Sequence, residues 1–136
     1  MKKLRFILLA AILSLLAGCS SNPCGNDKDS FLNNYYRLVE EATKANLPVS
    51  DSRWEKYDER FRAYVEECYD LYEAELSGRE KRRFWTRSLK YYAQRYGDGM
   101  VKELGSKGNK ASRRIRKETE SLWGRTEKAL EEVLGE

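Results

Sequence analysis

Between Asp51 and Leu76 the apolar residues recur only at the spacing of an α-helix, and this pattern limits the fold more than any other stretch. Trp54, Tyr57, Phe61, Tyr64, Val65, Cys68, Leu71 and Tyr72 form a stripe about 120° wide at 100° per residue. Glu55, Glu59, Glu66, Asp70 and Glu73 fall on the opposite side. The segment holds nine acidic and four basic residues, so one face belongs to water and the other to a core. Ser52-Arg53-Trp54-Glu55 matches a capping box that would open this helix.

The flanking segments read the same way. Asp29 or Ser30 is a good N-cap, and Phe31, Leu32, Tyr35, Leu38, Val39 and Ala42 follow on one face before Asn46-Leu47-Pro48 turns the chain. Ser77-Gly78-Arg79-Glu80 is a second capping box, followed by an apolar arc of Phe84, Trp85, Leu89, Tyr91, Tyr92 and Tyr96. Gly97-Asp98-Gly99 breaks this helix, a short turn spans Met100 to Leu104, and residues 105–109 are a loop. From Lys110 to Leu134, Ile115, Thr119, Leu122, Thr126, Ala129 and Val133 repeat at seven-residue spacing, with Trp123 and Leu130 at the edge. Two threonines make a poor coiled-coil seam, so docking as a fourth helix is expected, with Gly124 loosening its middle.

Each helix is marginal alone and must bury its stripe. No strand-like alternation of useful length competes. The expectation is an all-α chain, a small antiparallel helical bundle of three long helices plus a C-terminal helix, with a core bundle at residues 29–96, a last helix at 110–134 and the helical domain spanning 29–136. The nine tyrosines should keep their hydroxyls at the rim, near water.

Ahead of the helices, Lys2, Lys3 and Arg5 precede an apolar run from Phe6 to Leu16. Eleven residues are too few to span a bilayer of roughly 30 Å, but they suit a signal peptide. Leu16-Ala17-Gly18-Cys19 then reads as a lipobox, so residues 1–18 would be removed and Cys19 would carry a lipid through its thiol. Residues 19–28 form a small, polar tether. Ser20 and Ser21, in place of an aspartate after the cysteine, point to the outer membrane of the cell envelope.

Loss of the leader takes the net charge from +4 to +1, which gives nucleic-acid binding no support. Cys24 and Cys68 would sit in a compartment that permits disulfides. They can bridge, tying the tether to the domain, or Cys68 can be a small buried apolar residue.

FLNNYYRLVEEA, WEKYDERF and LSGREKRRFW with a later RY, together with the lipobox and tether, resemble a family of small lipoproteins from Bacteroidota whose domain has no assigned function. The resemblance covers residues 28–96. It implies a helical, membrane-anchored envelope protein and supplies no catalytic residues; residues 100–136 lie outside it.

There is no histidine, so the commonest general base and metal ligand is missing. No nucleophile–base pair, metal site or cofactor motif stands out, and a non-enzymatic interaction or structural module is expected. A small-ligand module with a tyrosine-lined cleft is the other reading. The acidic residues of the second helix lack the loop geometry of calcium sites and read as a solvated face. Arg79, Arg83, Arg87 and Lys90 share the outer face of the third helix and form a candidate docking face for lipid phosphates or an anionic envelope partner. Both charged faces are expected to meet solvent, with the aromatics turned away from the basic one.

Overall fold

A computed structural model describes residues 22–135. The leader and Cys19 lie outside the described residues. Within them the chain is an all-α, small antiparallel bundle.

Helix α1 spans Lys28–Ala45. Its cap is Asp27, earlier than expected: the extended backbone at Asp27 lets its carboxylate accept from the Ser30 amide at 2.7 Å. That leaves Asp29 in the first turn, where the helix dipole favours a negative charge. The helix ends at Asn46 in the left-handed region (φ 47°), a conformation asparagine tolerates better than most side chains.

The second rod is assembled from three kinds of turn. α2 (Trp54–Ala63) runs into a π-helical turn (Tyr64–Cys68), then α3 (Tyr69–Tyr72) and a 3₁₀ turn (Glu73–Glu75). The expected Ser52 capping box does not form. The Glu55 amide that the box needs bonds to the Ser52 main-chain carbonyl instead, at 3.2 Å, while Asp51 takes the Arg53 amide at 2.9 Å and the Arg53 guanidinium at 2.8 Å. These bonds hold its carboxyl down at about 2. The π turn also shifts the stripe. The Tyr69 amide bonds to the Tyr64 carbonyl, five residues back, so Tyr69 is wholly buried while Leu71, expected inside, is 63% exposed.

Helix α4 (Gly78–Tyr96) is the hub, packed against α1 and, further along the chain, α5 (Met100–Leu104), α6 (Lys110–Trp123) and α7 (Thr126–Leu134). Its capping box is complete: the Glu80 amide donates to Ser77 Oγ at 3.1 Å and the Ser77 amide donates to Glu80 Oε1 at 3.0 Å.

The expected single helix at 110–134 is two helices. Gly124 adopts φ 84°, where an L side chain is strained, and the chain reverses there. One end of the pair is fixed where Arg82 donates to the Leu122 carbonyl at 3.0 Å; α7 then runs back until Leu134 lies beside Ala93 and Gln94 of α4. The hydroxyls of Thr119 and Thr126 bond across the reversal at 3.1 Å, which gives the two seam threonines a polar role.

Aromatic rings dominate the core. Tyr35 stacks on Phe84 at 4.2 Å and Phe61 on Tyr91 at 4.0 Å. Several tyrosine hydroxyls, expected near water, bond to protein partners instead. Tyr35 bonds to Ser88 at 2.5 Å and Tyr92 to Ser112 at 2.7 Å, both within the core; Tyr91 donates to Asp58 at 2.6 Å. Burial pushes the Tyr35 and Tyr92 phenols far up, so they stay neutral. Ser88 and Ser112 are the small partners that make these buried hydroxyls affordable.

Candidate docking face

The segment ahead of α1 is joined to the bundle by a disulfide between Cys24 and Cys68, 44 positions apart. Cys68 is also fully buried, so packing and bonding coincide in one residue. Tyr72 adds a hydrogen bond to the Gly25 carbonyl at 2.8 Å, and Lys28 pairs with Glu80 at 3.2 Å. These contacts put the tether at the end of the bundle where α4 begins.

Arg79, Arg83, Arg87 and Lys90 follow from that end along the outer side of α4. The helix brings all four to the seam with α1. A groove of about 390 Å³ is lined by Arg79 and Arg83 with Leu32 and Tyr36 of α1. A second, of about 500 Å³, is lined by Arg87 and Lys90 with Val39, Thr43 and Leu134. Tyr36 lies under two of the cations, its ring 4.7 Å from the Arg83 guanidinium carbon and 5.7 Å from that of Arg87. Partial burial raises the Tyr36 phenol while Arg83 draws it back. The aromatics of α4 itself point inward, but α1 supplies an aromatic to the basic face, which reading α4 alone could not show.

None of the four basic residues forms an ion pair among the described residues. Among the carboxylates of the two grooves, Glu80 is engaged by Lys28 and Glu40 by Lys44 at 2.8 Å.

The acidic face behaves differently. Helix α6 packs beside its lower part and gives it a partner there, although Asp70 stays exposed as expected. Arg114 reaches Asp70 at 2.5 Å, Glu73 at 3.7 Å and Glu118 of its own helix at 3.2 Å. Burial raises the Glu118 carboxyl despite the neighbouring guanidinium. Glu55 and Glu59 remain exposed. Asp58, outside the expected acidic set, is held by Arg95 at 2.8 Å and by Tyr91.

A groove of about 560 Å³ also opens where α1 ends and α2 begins, between Glu41, Arg53, Tyr57 and Arg60. It contains a single tyrosine; most of the tyrosines fill the core.

A family model described as a domain of unknown function (DUF6565) matches residues 39–135. The chain belongs to this family. The DUF6565 match begins inside α1 and continues through α7. It therefore takes in residues 100–135, which the sequence resemblance left out, and omits the whole FLNNYYRL stretch that was part of that resemblance. Both helices that border the basic seam, α1 in part and α4 entirely, lie within the DUF6565 region. No curated protein and no solved structure matches the chain. No described helix is long and apolar enough to cross a membrane.

Proposed function

We propose that this DUF6565 protein is a small lipoprotein of the Bacteroidota type, anchored through Cys19 at the outer membrane, that works without catalysis by docking its α1–α4 seam to an anionic partner. The observation that carries the docking role is the set of four cations along one seam without ion pairs among the described residues. A cation left unpaired keeps its full attraction for an incoming anion, and such attraction steers association over distance. The lipobox and the polar tether support the anchoring.

Two measurements test the reading. Replacing Cys19 by alanine should leave an uncleaved or soluble product, read by fractionation with a lipid label; label retained on the variant would remove the anchor. The mature chain should also bind an immobilised polyanion, with retention that falls as salt shortens the Debye length from about 10 Å at 0.1 M towards 3 Å at 1 M. Retention unchanged in the Arg83→Glu/Arg87→Glu variant would remove the docking role.

A further inference from the structure

We infer that the anionic partner of the α1–α4 seam is the bilayer surface that holds the chain's own anchor. This rests on the proposal above and names the partner class. Three observations lead to it.

The first is reach. The Cys24–Cys68 bridge ends the free tether at Cys24. Cys24 lies five residue steps beyond Cys19, and fully extended these span about 17 Å. Asn22 tightens this further, because its side chain accepts from the Cys24 amide at 3.0 Å and donates to the Gly25 carbonyl at 3.1 Å. The tethered end of a domain held this closely stays within about two Debye lengths of the headgroups.

The second is placement. The stapled end of the bundle is where α4 starts, so Arg79 lies beside the tether and Lys90 lies about 16 Å further along the helix. A row of that length starting at the anchor can lie flat on a surface without lengthening the tether.

The third is the form of the charge. The four cations are spread along a shallow, open seam in place of converging on one pocket, which suits a field of many phosphates better than one small anion. Glu40 and Glu80 are already neutralised by Lys44 and Lys28, leaving Asp29 as the unpaired carboxylate in the two grooves among the described residues. Tyr36, half-buried in the first groove, and Leu134, 40% exposed at the second, offer apolar area at headgroup depth.

The test uses the mature chain with Cys19→Ser, co-sedimented with vesicles of phosphatidylcholine alone or with 30% phosphatidylglycerol. Each basic residue brought to an anionic surface should strengthen partitioning about fivefold. We expect binding to the phosphatidylglycerol vesicles only, at least tenfold weaker for Arg83→Glu/Arg87→Glu. Because Arg83 and Arg87 touch Tyr36, Arg79→Glu/Lys90→Glu is a second variant free of that contact, and it should fall similarly. Inorganic phosphate at matched ionic strength should not displace the wild type; displacement would assign the seam to a free anion and overturn the inference. In the lipidated chain, acetylation of Lys90 should slow in phosphatidylglycerol vesicles relative to neutral ones, while Lys56 on α2 reacts equally in both. Equal Lys90 reactivity in the two vesicles would overturn the inference. A chain that ignores vesicles yet binds immobilised polyanion through the same arginines overturns the lipid assignment and leaves the docking role standing. Failure to bind either removes both.

Discussion

Asp70 and Glu73 share the guanidinium of Arg114, whereas Arg79, Arg83, Arg87 and Lys90 sit along another side of the bundle with no ion pair among the described residues. Both sets belong to amphipathic helices with charge opposite an apolar stripe. The difference comes from what packs next to each. Helix α6 lies against the π turn and brings Arg114 with it, so part of the acidic face becomes structure. Helix α7 turns back at Gly124 and reaches the basic seam only at its far end, through Leu134. Charge that a neighbouring helix neutralises is committed to the fold; charge that no helix covers stays available.

The sharpest test of that division is a residue beneath both faces. Phe61 is buried and stacks on Tyr91 of α4, so Phe61→Ala should cost about 3–5 kcal/mol and lower the melting temperature steeply. An unchanged melting temperature would mean that the two rods are not joined there.

Arg114→Ala should cost about 1–3 kcal/mol in urea melts, because it strands Glu118 among buried neighbours and frees Asp70 and Glu73 from their partner. A cost near zero would make the acidic face as uncommitted as the basic one, and the contrast would vanish.

Glu118 sharpens the comparison through pH. Its carboxyl is raised above the ordinary 4.5 in the folded chain, mainly by burial, so the folded state holds the proton more tightly than the unfolded state. Stability from this group is therefore present at low pH and lost as pH rises through the raised value. Melting temperatures of Glu118→Gln should fall less between pH 4.5 and neutrality than those of the wild type; parallel profiles would sink the assignment.

The smallest effect belongs to the open side. Arg83→Glu/Arg87→Glu should change stability by only about 1 kcal/mol, since all that is lost is the pair of cation–π contacts to Tyr36 on a largely open face. A loss as large as that of Arg114→Ala in the same urea melts would show that the seam is structural.

How much of this was legible in the sequence depended on whether the deciding partner was local. The Ser77–Glu80 box and the helical stripes involve neighbours three or four positions apart, and they could be read directly. The Ser52 box looked equally good, but the Glu55 amide it needs is taken by the Ser52 main-chain carbonyl. Leu71 and Tyr69 exchanged places because one wide turn shifts every later residue, and periodicity assumes no such turn. Gly124 carried a readable warning, yet its cost as a helix residue did not reveal that the chain would reverse. The candidate basic residues were visible as a row on one helix. Tyr36 beneath them and Arg114 opposite the carboxylates were not, because each comes from a helix remote in sequence.

The bridge from Cys24 to Cys68 has a mechanical consequence. A pull on the chain upstream of Cys24 passes through the sulfurs directly to the later part of the second rod, near the start of α4, bypassing α1. The 44 residue steps between the two cysteines, roughly 150 Å of extended chain, are shielded from that load. Even if α1 peeled away, the chain between Cys24 and the load would not lengthen, and the force would act on the π turn at the stapled end of the bundle.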